Sequence, residues 1–115
     1  MKLVFFESPV FTRLLGEYLT DEAYRELQRA LLENPELGAV MPGTGGFRKT
    51  RWAQAGRGKG KRGGLRVIYY HLASAHQIWF FTLYSKDERK DLTPDEKQVL
   101  KKVIQAELDA RRRTL

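Results

Sequence analysis

The chain has 115 residues, no cysteine and a formal net charge of +7, with 42% hydrophobic and 11% aromatic residues. This composition predicts one globular domain over residues 1–115 and excludes a disordered chain, disulfides, thiolate catalysis and cysteine-based zinc sites. The apolar runs are too short to span a membrane and the first residues do not form a signal peptide, so we expect a soluble, cytoplasmic protein.

The start of the chain predicts a strand followed by two helices. Residues 2–6 (KLVFF) are β-branched and aromatic, which favours a strand. Ser8 predicts the N-cap of a short helix. A clearer helix is predicted for residues 20–33, where Thr20 is the cap and acidic residues fill the first turn. Its apolar stripe indicates core packing rather than a binding groove.

Three strands are predicted in the second half of the chain. They cover residues 47–53, 65–72 (LRVIYYHL) and 77–84 (QIWFFTLY). Because only a short turn separates the last two strands, they predict an antiparallel hairpin.

A last helix is predicted from the cap Thr93 to about Arg111. Its predicted buried side consists of Val99, Val103, Ile104 and Leu108. The order of strand, helices, three antiparallel strands and helix predicts an α+β domain, in which a small antiparallel sheet has N-terminal helices and a C-terminal helix.

Basic charge is concentrated between Gly43 and Arg66. This segment holds eight of the Lys and Arg residues and no acid, so the rest of the chain has a formal charge of 7 − 8 = −1. The cations are Arg48, Lys49, Arg51, Arg57, Lys59, Lys61, Arg62 and Arg66. Such a segment predicts a surface for a polyanion, and the alternative is a solvated basic loop. The glycine-basic loop 55–64 lacks the spacing of a nucleotide phosphate loop.

Side-chain alternation predicts a basic face on the sheet. Lys49 and Arg51 share one face of the first of these strands. On the next strand, Arg66 shares a face with Ile68 and Tyr70. On the third strand, Tyr84 shares a face with Lys86. If these faces coincide, they supply the parts for metal-free RNA cleavage. The cations would stabilise the phosphate, and a lysine or tyrosine with a lowered pKa would take the 2′-hydroxyl proton. The alternative is the ordinary solvated face of an open sheet.

Other polar residues give no metal or cofactor site. His71 is expected in the core or at a sheet end, and His76 in a turn. The acidic residues Asp87, Glu88 and Asp91 alternate with cations, which favours a solvated lead-in to the last helix over a magnesium site. We therefore predict no cofactor and no metal.

Three blocks of the sequence, GTGGFRKTRWA, GRGKGKRGGLRVIYY and FFTLYSKDERKDLT, resemble the RelE/HigB superfamily of type II toxin–antitoxin toxins, specifically its HigB-like branch. The resemblance covers nearly the whole chain. It implies an endoribonuclease that enters the 30S A site of the ribosome and cuts mRNA without metal. The implied reaction is attack by a 2′-hydroxyl, which leaves a 2′,3′-cyclic phosphate and a 5′-hydroxyl. The implied partner is an antitoxin with a helix-turn-helix domain (HigA-like).

The resemblance also implies site residues. Lys49 and Arg51 match the paired basic residues of the family's second strand, and Arg66 matches the arginine that contacts the scissile phosphate. Lys86 matches a basic residue after the last strand. The chain departs from the pattern at Asp87, where the best-studied member has arginine.

A second departure concerns the general base. The family tyrosine that serves as a stacking and base candidate has no counterpart at Leu92 or Thr93, and Tyr84 is the candidate substitute.

Further basic residues are assigned to RNA or ribosome binding. They are Arg48, Arg57, Lys59, Lys61 and Arg62. Two other functions remain open: a non-catalytic RNA- or ribosome-binding module, and a ParE-like gyrase inhibitor on the same fold. The basic face favours RNA over gyrase.

Overall fold

The computed structural model describes residues 2–53 and 64–113. Within these ranges the helices and strands occur in the order β1 (Val4–Glu7), α1 (Pro9–Tyr18), α2 (Asp21–Glu33), β2 (Ala39–Val40), β3 (Arg48–Trp52), β4 (Leu65–Leu72), β5 (Gln77–Ser85) and α3 (Pro94–Arg113). Most of the predicted glycine-basic loop lies outside the described residues. None of the helices in the described ranges is both long and apolar enough to cross a bilayer.

The strands of the described ranges form one sheet in the order β1-β5-β4-β3-β2. β1 runs parallel to β5, and the other neighbouring strands are antiparallel. The predicted α+β class and the β4–β5 hairpin are confirmed. The sheet is mixed because β1 pairs with β5 at an edge. The strand β2 was not predicted, since two residues are too few to show an alternating pattern.

The helices begin at the caps that the sequence predicts. Ser8 Oγ accepts an amide of α1 at 3.0 Å, and Thr20 Oγ1 accepts an amide of α2 at 3.1 Å. At α3, Thr93 Oγ1 accepts the amide of Glu96 at 3.1 Å, and the Glu96 carboxylate accepts the amide of Thr93 at 2.8 Å. This reciprocal pair is a capping box, which satisfies two otherwise unpaired amides and sets where α3 begins.

Each face of the sheet has a buried cluster. The cluster under α1 and α2 includes Phe11, Ala23, Leu27, Leu31, Val67, Tyr69 and Phe80. The cluster under α3 consists of Met41, Phe47, Ile68, Tyr84, Leu92, Leu100 and Ile104. The apolar stripe of α2 is therefore core packing, as predicted. Ile68, which the sequence placed on the basic face, is fully buried because α3 covers that part of the face.

The helix α3 packs through Leu100 and Ile104. Both side chains are buried, whereas Val99 and Val103 are 52% and 45% exposed. The prediction was wrong for these two valines. Residues 99 and 103 have the same four-residue spacing as residues 100 and 104, and the two stripes differ by a rotation of about 100°. Spacing alone cannot choose between them, so the choice depends on what α3 packs against.

The glycine-rich turn between β2 and β3 is part of that packing surface. A Cβ on Gly45 (φ +77) would lie 2.9 Å from Ile104 Cγ2, and a Cβ on Gly46 (φ +115) would lie 3.2 Å from the Tyr70 ring. Thr44 is fully buried, donates to a carbonyl of the turn at 2.8 Å and accepts an amide at 3.1 Å. The turn therefore supports α3 against the sheet.

A β-bulge in β5 changes which face its side chains take. Tyr69 pairs with Phe80, while the preceding residue of β4 pairs with Thr82, so Phe81 is an extra residue. Strict alternation would place Phe81 and Leu83 on one face. Instead Phe81 packs under α3, and Leu83 is buried under α1 and α2. The bulge therefore puts Leu83 on the same face as Phe80, and Tyr84 on the same face as Phe81.

Candidate active site

The strand register places Arg51, Arg66 and Tyr84 in one row across β3, β4 and β5. Arg51 is opposite Arg66, which is opposite Tyr84. Residues directly opposite each other project from the same face of a sheet. Lys49 lies two residues before Arg51 on that face, opposite Ile68. The structure thus brings together four of the residues that alternation placed on one face. We call Arg51, Arg66 and Tyr84 the cross-strand row.

Lys86 lies at the same end of the sheet as the cross-strand row. Its amide donates to Gly64 O at 3.2 Å, directly before β4, and its side chain is exposed. Within residues 2–53 and 64–113, no carboxylate lies within ion-pair distance of Arg51, Arg66 or Lys86. Cations without an acidic partner are available to an incoming phosphate, and arginine can bind two phosphate oxygens at once.

Tyr84 is buried at the end of the cross-strand row. Tyr84 is 5% exposed. Among the described residues, the Tyr84 hydroxyl is the one buried side-chain polar atom without a hydrogen-bond partner. Burial and the charge of Asp91 raise the pKa of Tyr84, while Arg89 and Arg66 act in the opposite sense. Tyr84 is therefore protonated at neutral pH and can donate a hydrogen bond. This direction is opposite to the lowered pKa that the sequence hypothesis required of a tyrosine base.

Asp91 contacts the basic face from the loop before α3. Its Oδ1 lies 3.6 Å from Lys49 Nζ, and its Oδ2 accepts a hydrogen bond from Lys97 Nζ at 3.0 Å. Burial alone would raise the pKa of Asp91. The hydrogen bonds from Lys97 and the Leu92 amide, with the charge of Lys49, outweigh burial and lower the pKa below its usual value.

The sequence missed the contacts of this loop. It treated Asp87, Glu88 and Asp91 as solvated, and these residues are at least partly exposed, but Glu88 also accepts hydrogen bonds from the Tyr18 hydroxyl and from an amide of β5 at 3.2 Å. Arg89 bonds Glu96, and its guanidinium lies 5.3 Å from the centre of the Tyr84 ring. A charged loop between two elements gives no periodic signal from which these partners could be inferred.

Arg48 lies on the opposite face from Lys49. It pairs with Tyr69, whose side chain is buried under α1 and α2. Its guanidinium donates to Gly38 O at 2.8 Å and lies 3.7 Å from Glu36 Oε2. These contacts join β3 to the loop before β2. The RNA-binding role assigned to Arg48 stays a prediction, and its position separates it from the cross-strand row.

The other residues assigned to RNA or ribosome binding lie outside the described residues. They are Arg57, Lys59, Lys61 and Arg62.

The histidines lie away from the cross-strand row. His71 is partly buried near the end of β4, and His76 ends the turn before β5 with φ +54. In the described part of the chain, no group of three or more His, Cys, Asp or Glu side chains is arranged to hold a metal ion.

Comparison with known proteins gives a family match over most of the chain. Residues 11–115 match the family model described as the RelE toxin of the RelE / RelB toxin-antitoxin system. Among solved structures, the chain is similar to E. coli toxin RelE, in a double arginine-to-alanine variant in the free state. The TM-score is 0.52 and the sequence identity 16%, over 86% of this chain and 96% of that chain. At this identity the structural likeness shows the fold alone.

Proposed function

Because the chain belongs to the RelE toxin family, we propose that it is a ribosome-dependent mRNA endoribonuclease that acts without metal. The observation that carries the proposal is the cross-strand row, where Arg51 and Arg66 have no acidic partner among the described residues and adjoin a buried phenol. RNA cleavage through the 2′-hydroxyl needs preorganised cations around the phosphate, and this face has them.

In the proposed reaction, a 2′-oxygen of the mRNA attacks the adjacent phosphorus while the bond from phosphorus to the 5′-oxygen breaks. The 2′-hydroxyl passes its proton to water and the leaving 5′-oxygen takes a proton from water, which gives a 2′,3′-cyclic phosphate and a 5′-hydroxyl. Negative charge grows on the non-bridging oxygens during this step. Arg66 and Arg51 stabilise that charge, and the Tyr84 hydroxyl donates a hydrogen bond to one of these oxygens once the side chains that bury it move aside. Lys49 and Lys86 bind neighbouring phosphates.

The test is cleavage of a defined mRNA by purified protein in a reconstituted translation reaction. We expect cuts in the mRNA on translating ribosomes, little cutting of the same mRNA without ribosomes, and products that end in a cyclic phosphate. An mRNA with a single 2′-deoxynucleotide at the cut position should resist cleavage there. Ribosome binding with intact mRNA would instead support a non-catalytic binding module. In cells that express the protein, death with DNA breakage and intact mRNA would support a gyrase inhibitor.

Tyr84→Phe tests the proposed role of the phenol. We expect the cleavage rate to fall about tenfold or more, because one donor to the transition state is lost. The free energy of unfolding should stay unchanged or rise by about 1 kcal/mol, because a buried hydroxyl without a partner is removed. The measurements are single-turnover cleavage and chemical unfolding.

The matched control is Tyr24→Phe. The Tyr24 hydroxyl donates to Glu7 at 2.6 Å, and its ring projects from α2 against the cluster on the opposite face of the sheet. This variant should lose stability and keep its cleavage rate. A Tyr84→Phe variant that cuts at the wild-type rate would remove the phenol from the mechanism.

The family match also supports a partner. The family description names a toxin–antitoxin system, so we propose that an antitoxin neutralises this protein. Within that proposal, the HigB-like resemblance favours a helix-turn-helix antitoxin, and ribosomal action places the protein in the cytoplasm. Co-purification of the chain with the product of an adjacent reading frame would test the partner.

A further inference from the structure

The carboxylate of Asp91 lies between two lysines from different elements. Its Oδ1 is 3.6 Å from Lys49 Nζ on β3, and its Oδ2 is 3.0 Å from Lys97 Nζ on α3. The lysine side chains are 31% and 26% exposed, so water screens this group less than a fully exposed ion pair. The arrangement is one anion, with two oxygens, held by two ammonium groups and by the adjacent Leu92 amide, which donates to Oδ1 at 2.7 Å.

We propose that Lys49 and Lys97 form a phosphate subsite for single-stranded RNA, which Asp91 occupies in the RNA-free protein. A phosphodiester also carries one negative charge on two oxygens, so it can replace the carboxylate between the same two lysines. Asp91 then acts as an internal competitor, and Lys97 is an RNA-binding residue that α3 supplies. The inference rests on the proposed function, because it assumes that RNA lies on this face.

The position of Lys49 supports the subsite. Lys49 and Arg51 are two residues apart on one face of β3, which separates their Cα atoms by about 6.6 Å. This distance is close to that between successive phosphates in an extended single strand. An RNA with one phosphate at Arg51 and Arg66 therefore brings a neighbouring phosphate to Lys49.

The Asp91 contacts are not needed to hold α3 in place. The capping box at Thr93 already sets the start of α3, and Leu100 and Ile104 bury its apolar side. Arg89 and Glu96 form a separate ion pair between the loop and the helix. The Asp91 side chain remains 41% exposed, so it can leave the two lysines without opening the core.

The test is binding of a short fluorescent oligouridine whose 2′-oxygens are methylated to prevent cleavage. Anisotropy titrations at several salt concentrations compare the wild type with Asp91→Asn. We expect Asp91→Asn to bind about threefold to tenfold more tightly, because the competing charge is gone. The slope of log K against log salt should become steeper by roughly 0.7, since one more phosphate is neutralised.

The matched control is Asp95→Asn, which removes the same charge from an exposed position in the first turn of α3. No lysine of the described ranges lies within ion-pair distance of Asp95. The affinity of the Asp95→Asn variant for the oligouridine should differ from that of the wild type by less than about twofold. Equal gains in both variants would show an effect of net charge and overturn the proposal. Unchanged or weaker binding by Asp91→Asn would also overturn it.

A second pair of variants covers the case in which Asp91→Asn does not fold. Lys97→Met should weaken binding about threefold or more and flatten the salt slope by roughly 0.7, because a phosphate ligand is lost. Lys102→Met removes the same charge from an exposed site on α3 and should have a smaller effect. Equal losses in the two variants would overturn the proposal.

Failure of this inference and failure of the proposed function are distinguishable. The oligouridine titration needs no ribosome and no cleavage, so it reports on the subsite even if the protein cuts nothing. In the translation assay, Asp91→Asn should lower KM and keep kcat. A fall in kcat at unchanged KM would mean that Asp91 takes part in the chemistry, which contradicts a role as competitor.

Discussion

Arg66→Ala is expected to lower the rate of ribosome-dependent mRNA cleavage by about 100-fold or more, because a preorganised donor to the transition state is lost. Arg66 lies in the middle of the cross-strand row, between Arg51 and Tyr84. Within the described residues its guanidinium donates a single hydrogen bond, a long one of 3.4 Å to the Leu65 carbonyl. The free energy of unfolding should therefore change by less than about 1 kcal/mol. Single-turnover cleavage and chemical unfolding measure the two effects.

Two further substitutions sharpen this result. Arg66→Lys should remain clearly impaired, since an ammonium cannot form the two parallel bonds that a guanidinium makes with phosphate. Arg25→Ala removes an exposed arginine from α2, on the opposite side of the sheet, and should cut mRNA at the wild-type rate.

Substitutions in the glycine-basic loop should act differently from Arg66→Ala. Lys59→Ala and Lys61→Ala are expected to weaken ribosome association in a salt-dependent way and to cost less activity, since each removes one screened charge. If Arg66→Ala cut at the wild-type rate while a loop variant did not, the active site would lie on the loop and not on the cross-strand row.

Gly45→Ala is expected to lower the free energy of unfolding by about 3 kcal/mol, through backbone strain and overpacking together. The backbone at Gly45 has φ +77, which disfavours any side chain. The added Cβ would lie 2.9 Å from Ile104 Cγ2 and 3.4 Å from Lys101 Cα, so α3 would have to move away from the turn. Thermal and chemical unfolding measure the loss.

Gly43→Ala is the matched control for Gly45→Ala. Gly43 has φ +80, nearly the same backbone conformation, and a Cβ there would meet nothing within 4 Å. This variant should lose only about 1–2 kcal/mol, from strain alone. The difference between the two variants measures the contact between the turn and α3. Equal losses would mean that this contact does not determine how α3 packs.

Local signals in the sequence predicted much of the fold. A cap needs one side chain and one amide a few residues away, so Ser8, Thr20 and Thr93 were recognisable without any tertiary information. Alternation in strands predicted that Lys49 and Arg51 share a face and that Arg66 and Tyr84 are candidates to join them. The strand register then placed these four residues together.

Long-range contacts account for what the sequence analysis missed. Elements far apart in the chain decide which face of α3 is buried and on which side of the sheet Arg48 lies. They also decide the partners of Asp91. Lys49 and Asp91 are separated by the whole β3–β4–β5 unit, yet their charged atoms lie 3.6 Å apart. No periodicity relates such residues, so the sequence analysis treated Asp91 as solvated.

The sequence by itself determined the α+β class, the helix starts, the concentration of cations and the residues that share a face, because these follow from chain-local geometry and charge. Only the tertiary structure decided which stripe of α3 is buried and that Asp91 pairs with both Lys49 and Lys97. It also decided that the Tyr84 hydroxyl is buried with a raised pKa. The physical reason is that burial, desolvation and ion pairing depend on distances in space, which side-chain spacing along the chain does not specify.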